Sequence, residues 1–358
     1  MDQPEQPEQH RQLDIPSQRY PKDKGPDDIF APKNLAKYIG LFLLTFVTTT
    51  LSGMMWQNEM DLANIEKGLS YSIALLFILS CHEFGHFFAA RYHKVNVSLP
   101  YYIPFPPIPA FINFGTLGAL IRTREPIPSR KALFDIGIAG PIAGFIASLI
   151  VLVYGFMNLP GTDFLLAIHP DYDFATNTSA GTQPGMILTF GNTLLYDTIQ
   201  TLFAPAGKFV PPMTEMYHYP FLITGWFGLM VTALNMLPTG QLDGGHIIYA
   251  MFGKWHRIIA RVTVGILLFL GAMGTIPGLL ALVGLPETAN QMMNLIPGYE
   301  RLFWGGWLFW ALLIRFVIRI DHPPVTDSEP LDPRRRALGW ISLAIFITCF
   351  SPAPLYIQ

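Results

Sequence analysis

His82-Glu83-Phe84-Gly85-His86 sets two imidazoles four residues apart, with a carboxylate directly after the first. On a helix of about 3.6 residues per turn these histidines share one face, one turn apart. Two such imidazoles can hold a single Zn²⁺, and the glutamate projects toward the same region. Zinc takes nitrogen, sulfur and oxygen donors in a tetrahedron; a catalytic site uses three protein ligands and leaves the fourth position to water. A third ligand is therefore required. The strongest candidate is Asp243, in the stretch Asn235-Met236-Leu237-Pro238-Thr239-Gly240-Gln241-Leu242-Asp243-Gly244-Gly245. Pro238 should end the helix before it. Gly240, Gly244 and Gly245 permit close backbone approach and strained angles.

The elements that position these residues belong in a lipid bilayer. Of 358 residues, 51% are hydrophobic and only 13% charged, with a formal net charge of −2. A soluble domain is about 25% charged, so this chain cannot coat a soluble surface of its size. It is too apolar for a disordered protein and too neutral for a nucleic-acid binder. Two cysteines, Cys81 and Cys349, exclude a disulfide scaffold. A helix crosses the hydrocarbon core with about 20 apolar residues. Stretches 38–58, 68–90, 136–162, 216–242, 262–286, 302–320 and 337–358 are candidate spans. Three ionisable groups within five positions of the second span are expensive there and need partners. Residues 1–37 are polar and read as a disordered tail. Stretch 99–121 is too rich in proline to be one helix. Stretch 186–204 could lie in the interface, re-enter or span.

Basic residues concentrate on the cytoplasmic side of membrane proteins. With the tail inside, seven spans, and both 99–121 and 186–204 returning to the side they left, only Lys67, Lys208 and Arg301 of the 23 Lys and Arg fall outside. Span two then runs inward with His82 and His86 in its inner half. Span four also runs inward and ends at Asp243, which brings all three groups to a similar depth. His93, His169, His218, His246 and His256 are scattered and lack ligand spacing relative to one another. His246 reads equally as a support for Asp243 or a surface residue, and Cys81 reads as packing. The outer loop 158–218 is shorter than a typical added domain.

The two motifs, in this order, resemble the site-2 protease family of intramembrane zinc metalloproteases. Phe114-Gly115-Thr116-Leu117-Gly118-Ala119 is similar to that family's membrane-embedded β-hairpin, and Lys131 to Pro141 is similar to the start of its third helix. The match covers roughly 70–260. Its wording, and an outer loop with no room for a PDZ domain, lean toward the branch that lacks one. The resemblance implies an all-α polytopic membrane protein of about seven transmembrane helices with a β-hairpin-like re-entrant segment. It implies a membrane-embedded metalloprotease domain over 38–358 with a catalytic core at about 69–260. The expected activity is hydrolysis of a peptide bond in or near a transmembrane segment, as in regulated intramembrane proteolysis.

On this reading one Zn²⁺ per chain is held by His82, His86 and Asp243, and Glu83 moves the water's proton. Asn235 is, by resemblance, a candidate for positioning substrate or stabilising the oxyanion; an interhelical amide hydrogen bond is its plain alternative. Phe114, Gly115, Thr116, Leu117 and Gly118 are the candidate substrate-binding strand, whose free edge would pair with an unwound helix. The expected partners are a single-span membrane-protein substrate and the lipid bilayer, with no nucleic acid; no oligomeric state follows. The expected location is a multi-pass membrane protein with a cytoplasmic N-terminus, in the inner membrane if bacterial. Gly85, Gly140 and Gly144 read as ordinary helix packing. Two other readings stay open: a catalytically silent chaperone or scaffold of the same fold, and a metal-handling transporter. The first would lack Glu83 or a ligand. The second would show ionisable groups on several helices and an internal repeat.

Overall fold

The computed structural model describes residues 31–108, 113–179, 187–323, 325, 327 and 329–357. Its elements run α1 (Pro32–Trp56), α2 (Leu69–Tyr92), β1 (Tyr101–Pro104), β2 (Thr116–Leu120), α3 (Arg130–Met157), α4 (Thr162–Ile168), β3 (Tyr172–Asp173), β4 (Thr178–Ser179) and β5 (Leu188–Phe190). They continue as α5 (Leu194–Phe203), α6 (Pro220–Asn235), α7 (Asp243–Phe252), α8 (His256–Leu282), α9 (Pro286–Asn294), α10 (Tyr299–Leu302), α11 (Gly306–Leu313), α12 (Pro333–Cys349) and β6 (Leu355–Ile357). Among the described residues, five helical stretches are long and apolar enough to cross a membrane: Pro32–Trp56, Leu62–Tyr92, Arg130–Met157, Asp243–Leu282 and Tyr299–Ile318. The fourth joins α7 and α8 through one tight turn.

The remaining expected spans are shorter. Helix α6 has 16 residues and α12 has 17, so at ~1.5 Å per residue each covers somewhat less than the ~30 Å hydrocarbon core. Helix α5 has 10 residues and reaches only about half that depth. The N-terminal boundary also differs from the expectation of a tail to residue 37. Pro32 occupies the first turn of α1, where its missing N–H costs nothing, and Leu35, Ala36 and Lys37 are good helix formers. Residues 1–30 lie outside the described set.

At the centre of the bundle α3 packs along α2, α6 and α7. Small residues allow it. A Cβ on Gly85 of α2 would stand 2.5 Å from the Ala139 carbonyl oxygen of α3, and one on Gly225 of α6 would meet Leu152 at 2.4 Å. Around this seam Tyr71, Leu75, Leu152, Phe156 and Trp226 are fully enclosed. The outward faces are apolar as well: Leu43, Phe77, Ile150, Phe269 and Phe316 are all exposed, as suits helices facing lipid. The threonines on the inner face of α1 are paired. Thr45, Thr49 and Thr50 return their hydroxyls to carbonyls one turn back, and Thr49 meets Ser72 across the α1–α2 contact at 2.6 Å.

Within stretch 99–121 the described residues form the antiparallel pair β1–β2, with Tyr101 opposite Leu120 and Pro104 opposite Thr116. Gly115 pins it to α1. Its φ is +78° and a Cβ would lie 2.5 Å from Thr49 Cα, while its carbonyl accepts the Thr48 hydroxyl at 2.7 Å.

An ionic latch ties the three helix ends on the other side. Arg335 of α12 donates twice to Asp135 of α3, Nε to Oδ1 at 2.8 Å and Nη2 to Oδ2 at 2.6 Å, and also pairs with Asp332. His93, at the end of α2, meets Asp135 Oδ2 at 2.8 Å. Bidentate guanidinium–carboxylate pairs are specific in geometry. Arg335→Ala is expected to lower stability by about 1–2 kcal/mol, read as an earlier unfolding midpoint in detergent. Arg335→Lys, which keeps the charge but not the fork, should recover only part of it. An unchanged midpoint for Arg335→Ala would refute the latch.

Candidate metal centre

Helix α2 carries His82 and His86 on its buried face. Their Nε2 atoms lie 3.1 Å apart. Asp243 opens α7, where a carboxylate is favoured by the positive end of the helix dipole. Its Oδ2 stands 3.4 Å from His82 Nε2 and 3.2 Å from His86 Nε2. Three donors at ~2.0–2.1 Å from a tetrahedral zinc are separated by about 3.3 Å. The observed edges bracket that value, and the donor set is two imidazoles and one carboxylate, so the residues fit a zinc ion.

The ligands are held from outside the set. His86 Nδ1 lies 2.7 Å from the Ile136 carbonyl oxygen; a proton on Nδ1 donating there leaves the Nε2 lone pair facing the other two donors. Asn235 Nδ2 lies 3.2 Å from His82 Nε2. Glu83 is buried beside the pair. Asp243 is brought in by the glycines that precede and follow it. Gly240 has φ +60°, and a Cβ on Gly244 would stand 2.1 Å from the Met236 carbonyl oxygen. Helix α6 ends at Asn235, three residues before Pro238, so the chain turns and restarts as α7 with its first residue among the imidazoles.

The five candidate strand residues divide in two. Phe114 stacks on Phe227 of α6 with ring centroids 3.9 Å apart, Gly115 is clamped on α1, and Thr116 is buried with its hydroxyl on the Ile103 carbonyl. Leu117 is exposed, and Gly118, at φ +98°, has nothing within 4 Å of a would-be Cβ. The outer edge of β2 has no paired strand among the described residues.

Two features went unread in the sequence. Gly140 and Gly144 are not generic packing. A Cβ on Gly140 would stand 2.1 Å from His86 Nε2, and one on Gly144 would stand 3.1 Å from His82 Nδ1. Their spacing of four on α3 was the available signal, since it makes a groove on one helix face. His169 and His218, read as unrelated, come within 3.0 Å of each other. They are 49 residues apart, so no local spacing could reveal them. His246 lies against Gly137 and meets His322 at 2.7 Å rather than Asp243.

Apolar spanning helices with a His-Glu-x-x-His turn and a distant aspartate converging inside the bundle define a membrane metalloprotease architecture. The chain belongs to the site-2 protease family: the model of peptidase family M50 matches residues 70–276. It is 34% identical over 210 residues to a probable zinc metalloprotease, EGY1, named chloroplastic, of Arabidopsis thaliana; this covers 59% of the chain and 34% of the relative. It is 27% identical over 291 residues to the probable zinc metalloprotease EGY2 of Oryza sativa subsp. indica, covering 81% of the chain and 43% of the relative. It is 29% identical over 209 residues to the probable zinc metallopeptidase EGY3 of Arabidopsis thaliana, covering 55% and 32%. The chain thus spans less than half the length of these relatives. No solved structure matches it.

Proposed function

We propose that this chain is an intramembrane zinc endopeptidase that cuts a single-span membrane protein in or beside its transmembrane segment, as in regulated intramembrane proteolysis. The observation that carries the reading is the convergence of His82, His86 and Asp243 from two separated helices, with Glu83 buried alongside. Zinc held there supplies a Lewis acid and lowers the pKa of a water to about 7. Glu83 takes that water's proton and passes it to the leaving amine. The Asn235 amide, 3.2 Å from His82 Nε2, donates a hydrogen bond to the oxyanion developing on the scissile carbonyl. The Ile136 carbonyl keeps His86 in the tautomer a ligand needs.

A transmembrane helix hides its backbone in its own hydrogen bonds, so the substrate must be held unwound. The free edge of β2, at Leu117 and Gly118, receives it by strand addition; Phe114, Gly115 and Thr116 hold that strand in place. The domain extends over 38–358 with a core at about 69–260. Seven helices cross the bilayer, α6 and α12 included, and β1–β2 re-enters. The N-terminus and the basic loops face the cytoplasm, which in a bacterium makes this an inner-membrane protein.

The test uses the full chain in proteoliposomes with a single-span substrate. Cleavage should vanish on chelation, return with Zn²⁺, and give new termini in or next to the span. Cleavage that survives in metal-free protein, or termini far from the span, would overturn the reading. In the same assay Leu117→Glu should lower kcat/KM by about tenfold, since one buried apolar contact is worth ~1–3 kcal/mol, with zinc retained. An unchanged kcat/KM would remove the strand from substrate docking.

A further inference from the structure

A second set of donors sits at the opposite end of α2, where α1 ends. It lies roughly 20 Å along the helix axis from His82, given ~1.5 Å per residue from Leu69. His169 follows α4, and Glu215 and His218 flank one turn of 3₁₀ helix ahead of α6. In a 3₁₀ turn residues i and i+3 fall on the same side, which aims Glu215 and His218 at one point. His218 is wholly buried and Glu215 is 8% exposed. The two Nε2 atoms are 3.0 Å apart, and Glu215 Oε2 is 3.6 Å from His169 Nε2 and 3.5 Å from His218 Nε2. These edges again bracket the ~3.3 Å separation of donors around a tetrahedral zinc.

The protonation arithmetic leaves a place for a cation. His218 Nδ1 lies 2.5 Å from the Trp56 carbonyl oxygen at the end of α1, so it carries the proton and the Nε2 lone pair points inward. His169 Nε2 can donate to that lone pair. Glu215 Oε2 is then left buried with no hydrogen-bond partner, an arrangement that is unfavourable unless a charge is supplied. His218 and Glu215 are both removed from water, which disfavours an uncompensated charge there. The buried phenols of Tyr172 and Tyr219 also lack partners and feel the Glu215 charge, so hydroxyl donors are at hand for the outer sphere. His169 is a quarter exposed at its side chain and opens a path from the surface.

We infer that His169, Glu215 and His218 form a second divalent transition-metal site, of zinc-binding type, on the outer face. Its ligands come from two separate segments of the 158–218 loop, and the Trp56 carbonyl joins them to α1. The ion thereby clamps this outer cap to the bundle. The site uses none of the residues of the proteolytic centre.

The full-length chain is purified in detergent, stripped with chelator, saturated with Zn²⁺ and freed of unbound metal, and zinc is counted per chain. The wild type should hold about two ions. His82→Ala with His86→Ala should hold about one, and His169→Ala with His218→Ala about one. Glu215→Gln, which preserves shape, should weaken the second ion by at least tenfold, while circular dichroism shows an unchanged helix content. A single ion in the wild type that is lost from His82→Ala/His86→Ala would overturn the outer site and leave the proteolytic proposal standing. A single ion that survives in that variant and is lost from His169→Ala/His218→Ala would do the reverse.

Discussion

Glu83→Gln should lower cleavage by about a thousandfold while zinc content stays at the wild-type level. Glutamine fills the same volume, but it cannot take a proton from water. The substitution removes a buried carboxylate that is not among the three converging donor atoms, so neither the fold nor the metal affinity should suffer. KM should change little, since the side chain acts on the water rather than on substrate binding. Rate measurement in proteoliposomes and metal analysis of the same preparation decide it. A rate within tenfold of wild type would remove Glu83 as the base, and lost zinc would recast it as part of the metal's support.

The second large effect should come from one methyl group. A Cβ on Gly140 would stand 2.1 Å from His86 Nε2 and 2.4 Å from both Cδ2 and Cε1. Such contacts cannot exist, and α3 cannot retreat, because it is packed on α2, α6 and α7. The imidazole is the movable partner. It must swing away, which is a small expense for the fold and a large one for the site. His86 then loses both the Ile136 carbonyl and the focal point shared with His82 and Asp243. Zinc affinity should fall by about 100-fold or more, and activity with it. The reference is Gly265→Ala in α8, where nothing lies within 4 Å of the added methyl; it should keep zinc and gain slightly in helix stability. Competition against a chelator of known affinity checks both. Wild-type affinity in Gly140→Ala, with the thermal midpoint unchanged, would refute the groove.

Much of the candidate metal centre was legible because its chemistry is local. Two histidines one turn apart, and an aspartate after a proline-broken helix, can be recognised from spacing and from the expense of charge in lipid. Charge counting along the loops led to the expectation of a common depth, and the three donors do converge. Stretch 99–121 was legible as non-helical from its prolines, and its described residues include β1 and β2. Other features were not legible. Polar composition over 31–37 suggested a tail, yet Pro32 starts a helix there. Length separated α5 from the spans only once its ends were known.

The chain order by itself determined that this is a membrane protein carrying a His-Glu-x-x-His turn and a distant aspartate. Lipid admits only a narrow range of backbone and charge arrangements, and that severity leaves marks in composition and period. Only the folded bundle decided that Gly140 and Gly144 are the floor under the imidazoles, and that Gly115 anchors the hairpin while Leu117 and Gly118 stay free. It also decided that His169 and His218 meet across 49 residues. Those relations rest on which helix faces which, a matter of long-range packing to which no short stretch of residues is bound.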